Sequence, residues 1–386
     1  MFETKTNNKQ RGAIMELSYT NVERFIKPFL TYLHIYQLSN VILCVYGIIH
    51  AQSLEYAQIA RNVPTKTNHN HTKKRIYRFI NNDNIDLCLL MVYWCRFIVG
   101  LLYGLRKYVP VIVDITWVNG HKYLVATIPF VFRAIPIAFT RFTDAEVRMT
   151  SQNQIENDFF SWLRMTLWKY KVVIIADRGF KRASLMQFLR DLGLHYVIRV
   201  CGNVWVTTNK ESREQYSGIL GNIVLKSGEK KYLYKALYHK ELHVETNLIL
   251  GKLKSEQTKK GKKLEPWYIA TDIKNLELAY QLYKRRMWIE EMFRDWKSRF
   301  HWTSYKVKTP IRMEKMTMCL MISYTIVVLL GNQVEKSGKV SQVSSYGKSS
   351  VTYLGISILK HKTESSSSLF RKVRRHYDLV SDKLAA

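Results

Sequence analysis

The chain has 386 residues, 47% of them hydrophobic and 13% aromatic, enough for two or three packed domains and too apolar for a disordered chain. Sixty Lys and Arg against thirty Asp and Glu give a formal charge of +30, which argues for a polyanionic partner and on charge alone leaves a ribosomal-type binder, a membrane-surface protein and a nucleic-acid enzyme open. The polar start MFETKTNNKQRGAIMEL has no signal-peptide pattern. The five scattered cysteines, Cys44, Cys88, Cys95, Cys201 and Cys319, contain no CxxC pair, which fits a reducing cytoplasm and argues against a zinc site.

The first hundred residues read as helical. SLEYAQIARNVP and HTKKRIYRFINN suggest a helix, a turn containing Pro64 and a second, basic helix. Leu54, Ala57, Ile59 and Ala60 supply apolar positions in the first segment, and Ile76, Phe79 and Ile80 do so in the second. The second segment carries Lys73, Lys74, Arg75 and Arg78, which suits a helix-turn-helix contact with DNA or a basic helical pair without groove contact. His69 and His71 in NHNHT lack a third ligand nearby and read as a solvated turn.

From Tyr108 the texture turns to strands. YVPVIVDITWV, HKYLVATIPFVF and AIPIAFTRF are three β-rich runs, followed by a helix over about 154–170. VVIIAD is a short apolar strand, and RGFKRASLMQFLRDLG is an amphipathic helix behind it. This order predicts an α/β layout with a mixed sheet. Residues 195–263 read as a separate β-rich piece made of HYVIRV, NVWVTT, NIVLKS, KKYLYKALYH and HVETNLILG. The basic loop Lys259 to Lys263 reads as a solvated turn. EPWYIATDI returns as a strand, and one long helix is expected from Asn275 to Phe300. The apolar run within Met316 to Leu330 is short for a bilayer and reads as a buried helix, so no membrane association is expected. Past Gly331, SSYGKSS and ESSSS read as loops.

The late helix holds the most informative spacing, YKRRMWIEEMFRDWK. At about 100° per residue, Tyr283, Arg286, Glu290 and Lys297 fall within roughly 60° of one another, so a carboxylate shares its face with a phenol, a guanidinium and an ammonium. Glu291 and Asp295 point away from that face. The set suits a metal-bound phosphate site, and equally an ion-paired helix surface. Asp114 interrupts the apolar VIVDITWV, where a carboxylate needs a hydrogen-bond network or a metal. Asp177 ends VVIIAD, a position that serves either a turn cap or a site at the strand ends of an α/β sheet. Three such acids with no His/Cys cluster favour Mg²⁺, with Mn²⁺ as substitute, over Zn²⁺, and a pair of ions would suit phosphoryl transfer. Trp117, Trp288 and Trp296 read as packing residues.

Asp114, Asp177 and Glu290, on a strand, a strand end and a late helix, resemble the DDE transposases with a ribonuclease-H-like fold. Y-x2-R-x3-E-x6-K, matched at Tyr283, Arg286, Glu290 and Lys297, resembles the signature of the cut-and-paste insertion-sequence branch (the IS-4-like one), and ADRGF resembles its second-aspartate motif. The resemblance covers about residues 50–330. It implies that Asp114, Asp177 and Glu290 bind two Mg²⁺ and that Tyr283, Arg286 and Lys297 hold phosphates near the cut. It further implies cleavage of double-stranded DNA through a hairpin, a homodimer in a paired-end complex, and a flipped base stacked on Trp267. Arg178 suits a DNA contact or a structural ion pair.

The expected organisation is therefore 1–105 helical and DNA-binding, 106–194 the first part of the catalytic core, 195–265 a β-rich insertion, 266–335 the second part of the core, and 336–386 a tail for dimerisation or end pairing. The expected setting is the bacterial cytoplasm, at the nucleoid. Rival readings are a ribonuclease-H-like nuclease that cuts without joining, and a non-catalytic DNA-binding inhibitor.

Overall fold

The computed structural model describes residues 17–104, 108–208, 215–252, 265–305, 307, 309–338, 340–344 and 349–360. They divide between two compact units, 1–85 with 315–386, and 86–314.

The first unit is helical, built from Tyr19–Ile26, Ile35–Ala51, Tyr56–Arg61, His69–Ile80, most of Pro310–Lys336, Val340–Val343 and Val351–Lys360. Tyr56–Arg61 ends before the turn containing Pro64, and His69–Ile80 begins behind Asn68, whose side chain accepts from the Asn70 N–H. NHNHT is thus a turn, exposed from Asn68 to His71, and one that opens a helix, because Asn68 supplies the cap. Thr72, Ile76, Phe79 and Ile80 form the buried stripe of this helix, leaving Lys73, Lys74, Arg75 and Arg78 exposed. The buried Lys315 ammonium donates to the carbonyls of Ile80 and Asn82, placing a cation on the helix's C-terminal end.

Pro310–Lys336 is long and apolar enough to cross a membrane, but 94% of its apolar window is buried inside the protein. Its neighbour Val351–Lys360 approaches it backbone to backbone. A Cβ on Gly331 would stand 1.7 Å from the Val351 carbonyl oxygen, and one on Gly355 would stand 2.0 Å from that of Val327. Two glycines, facing each other across the crossing, are what this contact requires. Of the expected C-terminal tail, 361–386 lies outside the described residues.

The second unit is mixed α/β, with one ten-stranded sheet. Its strands are β1 Val109–Val118, β2 His121–Phe130, β3 Arg133–Phe142, β4 Val172–Ala176, β5 His195–Val200, β6 Trp205–Thr207, β7 Ser217–Ile219, β8 Lys230–Tyr238, β9 Val244–Gly251 and β10 Trp267–Thr271. The spatial order is β3-β2-β1-β4-β5-β10-β9-β8-β6-β7. β1, β4 and β5 run parallel and the other neighbours antiparallel, as a mixed ribonuclease-H-like core demands. Asn119 and Gly120, both with positive φ, make the tight β1–β2 hairpin. β4 is buried at every position, so its sequence VVIIA is apolar throughout instead of alternating.

Three local expectations change. The strands after residue 195 do not form a sheet of their own: β5 lies between β4 and β10, and β9, β8, β6 and β7 extend the same sheet. NIVLKS is loop and not strand, and the short strand before it, Ser217–Ile219, pairs with β6 instead. The single helix expected from Asn275 to Phe300 is two, Leu276–Lys284 and Met287–Ser298. They meet in a turn with tighter bonds, Arg285 N–H to Leu282 O and Arg286 N–H to Tyr283 O.

The glycine crossing yields a direct test. Gly331→Ala should cost at least about 2–3 kcal/mol, because the added methyl meets backbone that cannot step aside. Urea unfolding that shows an unchanged midpoint for the variant would mean the two helices are not in such close contact.

Candidate active site

Strand register sets the first two acids. β1 and β4 are parallel with Val113 opposite Ala176, so the next residue along each strand is an aspartate, Asp114 on one and Asp177 on the other. The Asp114 side chain is 18% exposed, and its Oδ1 accepts from the Ile115 N–H at 2.8 Å. At Asp177 the chain leaves the sheet into the short turn Arg178–Phe180, and Asp177 Oδ1 caps that turn by accepting from the Gly179 N–H at 2.7 Å. Burial, and then the charge of Asp177, push the Asp114 carboxyl up to about 6, with Glu290 adding to the repulsion. The Ile115 N–H and the Arg286 guanidinium oppose that rise.

The helix pair supplies the third acid and its cations. In the tight turn between the helices, residues three apart eclipse, which sets Arg286 beneath Tyr283. Glu290 follows four residues later in Met287–Ser298. Arg286 bridges the acids, with Nη2 2.5 Å from Glu290 Oε1 and Nη1 3.7 Å from Asp114 Oδ2. Lys297 Nζ donates to Thr116 Oγ1 at 2.7 Å. Thr116 lies two residues beyond Asp114 and so on the same side of β1. Burial draws the Lys297 ammonium down, while Asp114 pulls it the other way.

Tyr283 is buried, and its phenol is raised by that burial against the charges of Arg286 and Arg199, with Asp177 adding to the rise. The Trp267 indole meets the Tyr283 ring edge-on, centroids 5.2 Å apart. Asp114, Asp177, Glu290, Tyr283, Arg286, Lys297 and Trp267 therefore gather around the ends of β1, β4 and β10.

Residues 147–326 match the family model for the transposase DDE domain. The chain carries a transposase DDE domain. A search of curated proteins found no match. The matched span holds Asp177 and Glu290, and Asp114, which precedes it, joins the transposase domain through the β1–β4 register.

DDE transposases use divalent metal ions. The donors here fit such an ion in kind, being hard carboxylate oxygens whose mutual repulsion a cation relieves. Among the described residues no three His, Cys, Asp or Glu side chains stand together as a ready metal cage. Arg286, lying between Asp114 and Glu290, supplies the positive charge instead.

Four of the remaining expected contacts belong to the other unit. Lys73, Lys74, Arg75 and Arg78 lie within the helical unit, where Arg75 is tied to Asn40 Oδ1 at 2.6 Å and Ser39 Oγ at 2.8 Å. Arg178 is 56% exposed and pairs with Glu265 at 3.3 Å. Lys259 to Lys263 fall outside the described residues. Glu291 and Asp295 serve ion pairs on the other flank of their helix, with Arg294, Arg133 and Arg299. Trp296 is packed as expected, and Trp288 is partly exposed. Trp117 is not packed: it is 51% exposed beneath the Lys122 ammonium, because it points away from the core on an alternating strand.

The crowding of acids predicts its own signature. The folded carboxyl of Asp114 titrates near 6 against a reference of 3.8, so the native state holds that proton more tightly than the unfolded chain. Its contribution is full below the unfolded value and is lost as pH rises through about 4 to 6. In metal-free protein Asp114→Asn should therefore raise stability at pH 7.5 by about 1–3 kcal/mol, with the gain vanishing near pH 4. Thermal unfolding across that range in chelator checks it, and the absence of any gain at pH 7.5 would contradict the repulsion.

Proposed function

We propose that this transposase binds the double-stranded ends of a mobile element, hydrolyses the phosphodiester bonds there, and joins the freed 3′-hydroxyl to target DNA. The observation that carries the reading is the β1–β4 register: it sets Asp114 beside Asp177, with Glu290 facing them through Arg286. Asp114, Asp177 and Glu290 would hold two Mg²⁺, or Mn²⁺ in their place. When bound, such ions activate the attacking water or hydroxyl and stabilise the leaving oxygen.

The chain's own residues do the positioning, which is most of the protein's share in phosphoryl transfer. Arg286 balances Asp114 and Glu290 in the free protein and is the nearest guanidinium to offer a phosphate once those acids are otherwise engaged. Lys297, anchored on Thr116, holds a second positive charge beside Asp114. Tyr283 fixes Trp267 edge-on, leaving a partly exposed indole as a stacking surface for a flipped base in a hairpin route. In the helical unit, exposed Lys73, Lys74 and Arg78 suit phosphate contacts, whereas Arg75 is engaged within its own unit. A homodimer pairing two ends, acting at the bacterial nucleoid, completes the proposal.

Mg²⁺-dependent cleavage of linear DNA carrying the element end tests it, with Glu290→Gln as the control. Wild type should cut and then join, while the variant should lose at least about 100-fold in rate and keep DNA binding. Cut ends without joined product would indicate a nuclease. Binding with no cleavage by either protein would indicate an inhibitor, and equal cleavage by both would remove Glu290 from the chemistry.

A further inference from the structure

The row of strand ends that sets the two aspartates side by side continues one strand further. β4 and β5 are parallel with Ala176 opposite Ile198, so the residue that follows each is Asp177 on β4 and Arg199 on β5. Asp114, Asp177 and Arg199 thus occupy equivalent places on three adjacent parallel strands. Arg199 pairs across β5–β10 with Ile269, and Trp267 stands two residues back along β10, on the same side of the pleat.

The guanidinium of Arg199 is part-buried, and its Nη2 lies 3.8 Å from Glu265 Oε2. That same oxygen takes Arg178 Nη1 at 3.3 Å. Two guanidiniums from neighbouring strand ends converge on one carboxylate oxygen, and Glu265 itself is 72% exposed. An ion pair of that length with a solvated partner is weak and exchangeable. A phosphodiester offers the same charge and more acceptor oxygens in the geometry that arginine prefers.

We infer that Arg199 is a phosphate-binding residue of this active site, and that Arg178 and Arg199 together receive one DNA phosphate where the Glu265 carboxylate now lies. The inference rests on the transposase reading. Glu265 then acts as a stand-in anion that keeps the two arginines oriented before DNA arrives. Strand 5 thereby contributes to the grip on DNA beside the acids of β1 and β4, and the phosphate so held lies close to the Trp267 and Tyr283 rings.

The test measures binding of a linear duplex of about 40 base pairs carrying the element end, in Ca²⁺ so that the DNA stays uncut, over a range of KCl. Arg199→Gln should reduce the slope of log K against log salt by about one, and Arg199→Lys should keep the slope. Glu265→Gln should act in the opposite sense, tightening binding by roughly 3–10-fold, because it removes the competing anion. Unfolding midpoints of the same proteins separate this from a structural role, in which both substitutions lower the midpoint and weaken binding together. An unchanged slope for Arg199→Gln, or no tightening in Glu265→Gln, would overturn the inference. A wild type that does not hold the duplex at all would overturn the transposase reading itself, and this inference with it.

Discussion

Two carboxylates on neighbouring parallel strands repel each other, and the rest of the site is arranged around that repulsion. The β1–β4 register sets Asp114 beside Asp177, because the pairing of Val113 with Ala176 makes an aspartate the next residue along each strand. Partial burial strengthens the repulsion and raises the Asp114 carboxyl. Arg286 answers it by lying between Asp114 and Glu290, and Lys297 approaches from the far end of the same helix. Such a site stores unfavourable charge that only a cation relieves. That is costly for folding and useful for chemistry on phosphate.

Holding those charges in place requires stiff surroundings. β4 is buried along its whole length, and the helix Met287–Ser298 is pinned on its other flank by Arg133 to Asp295 and Glu291. The fixed elements carry the acids, while the cations ride on longer side chains that can change partners. In the proposed function this division would let Arg286 exchange its carboxylates for a phosphate without movement of the backbone.

Much of this was legible in the chain itself. The β-branched runs around Asp114 and before Asp177 marked strands, and the spacing of Tyr283, Arg286, Glu290 and Lys297 marked one helix face. The break after Lys284 was not legible, because KRRMW contains no Gly or Pro to mark it. Arg199 stayed hidden for a different reason: its place beside Asp177 follows from how β5 aligns with β4, a long-range pairing that local pattern does not encode. The same limit made β6 to β9 look like a separate piece, when β10 joins them edge to edge with the core. NIVLKS carries the β-branched pair Ile223 and Val224 yet is loop, which shows how weak that signal is over six residues.

The account's central claim is that the acids of β1, β4 and the late helix form one cation site. Calorimetric titration of Mn²⁺ into the DNA-free protein tests it most directly, comparing wild type with Asp177→Asn and with Glu290→Gln. The account predicts saturable binding in wild type that weakens at least tenfold in each variant, although the two residues lie more than a hundred positions apart in the chain. Binding that is unchanged in both variants, or absent from wild type with and without DNA, would contradict it.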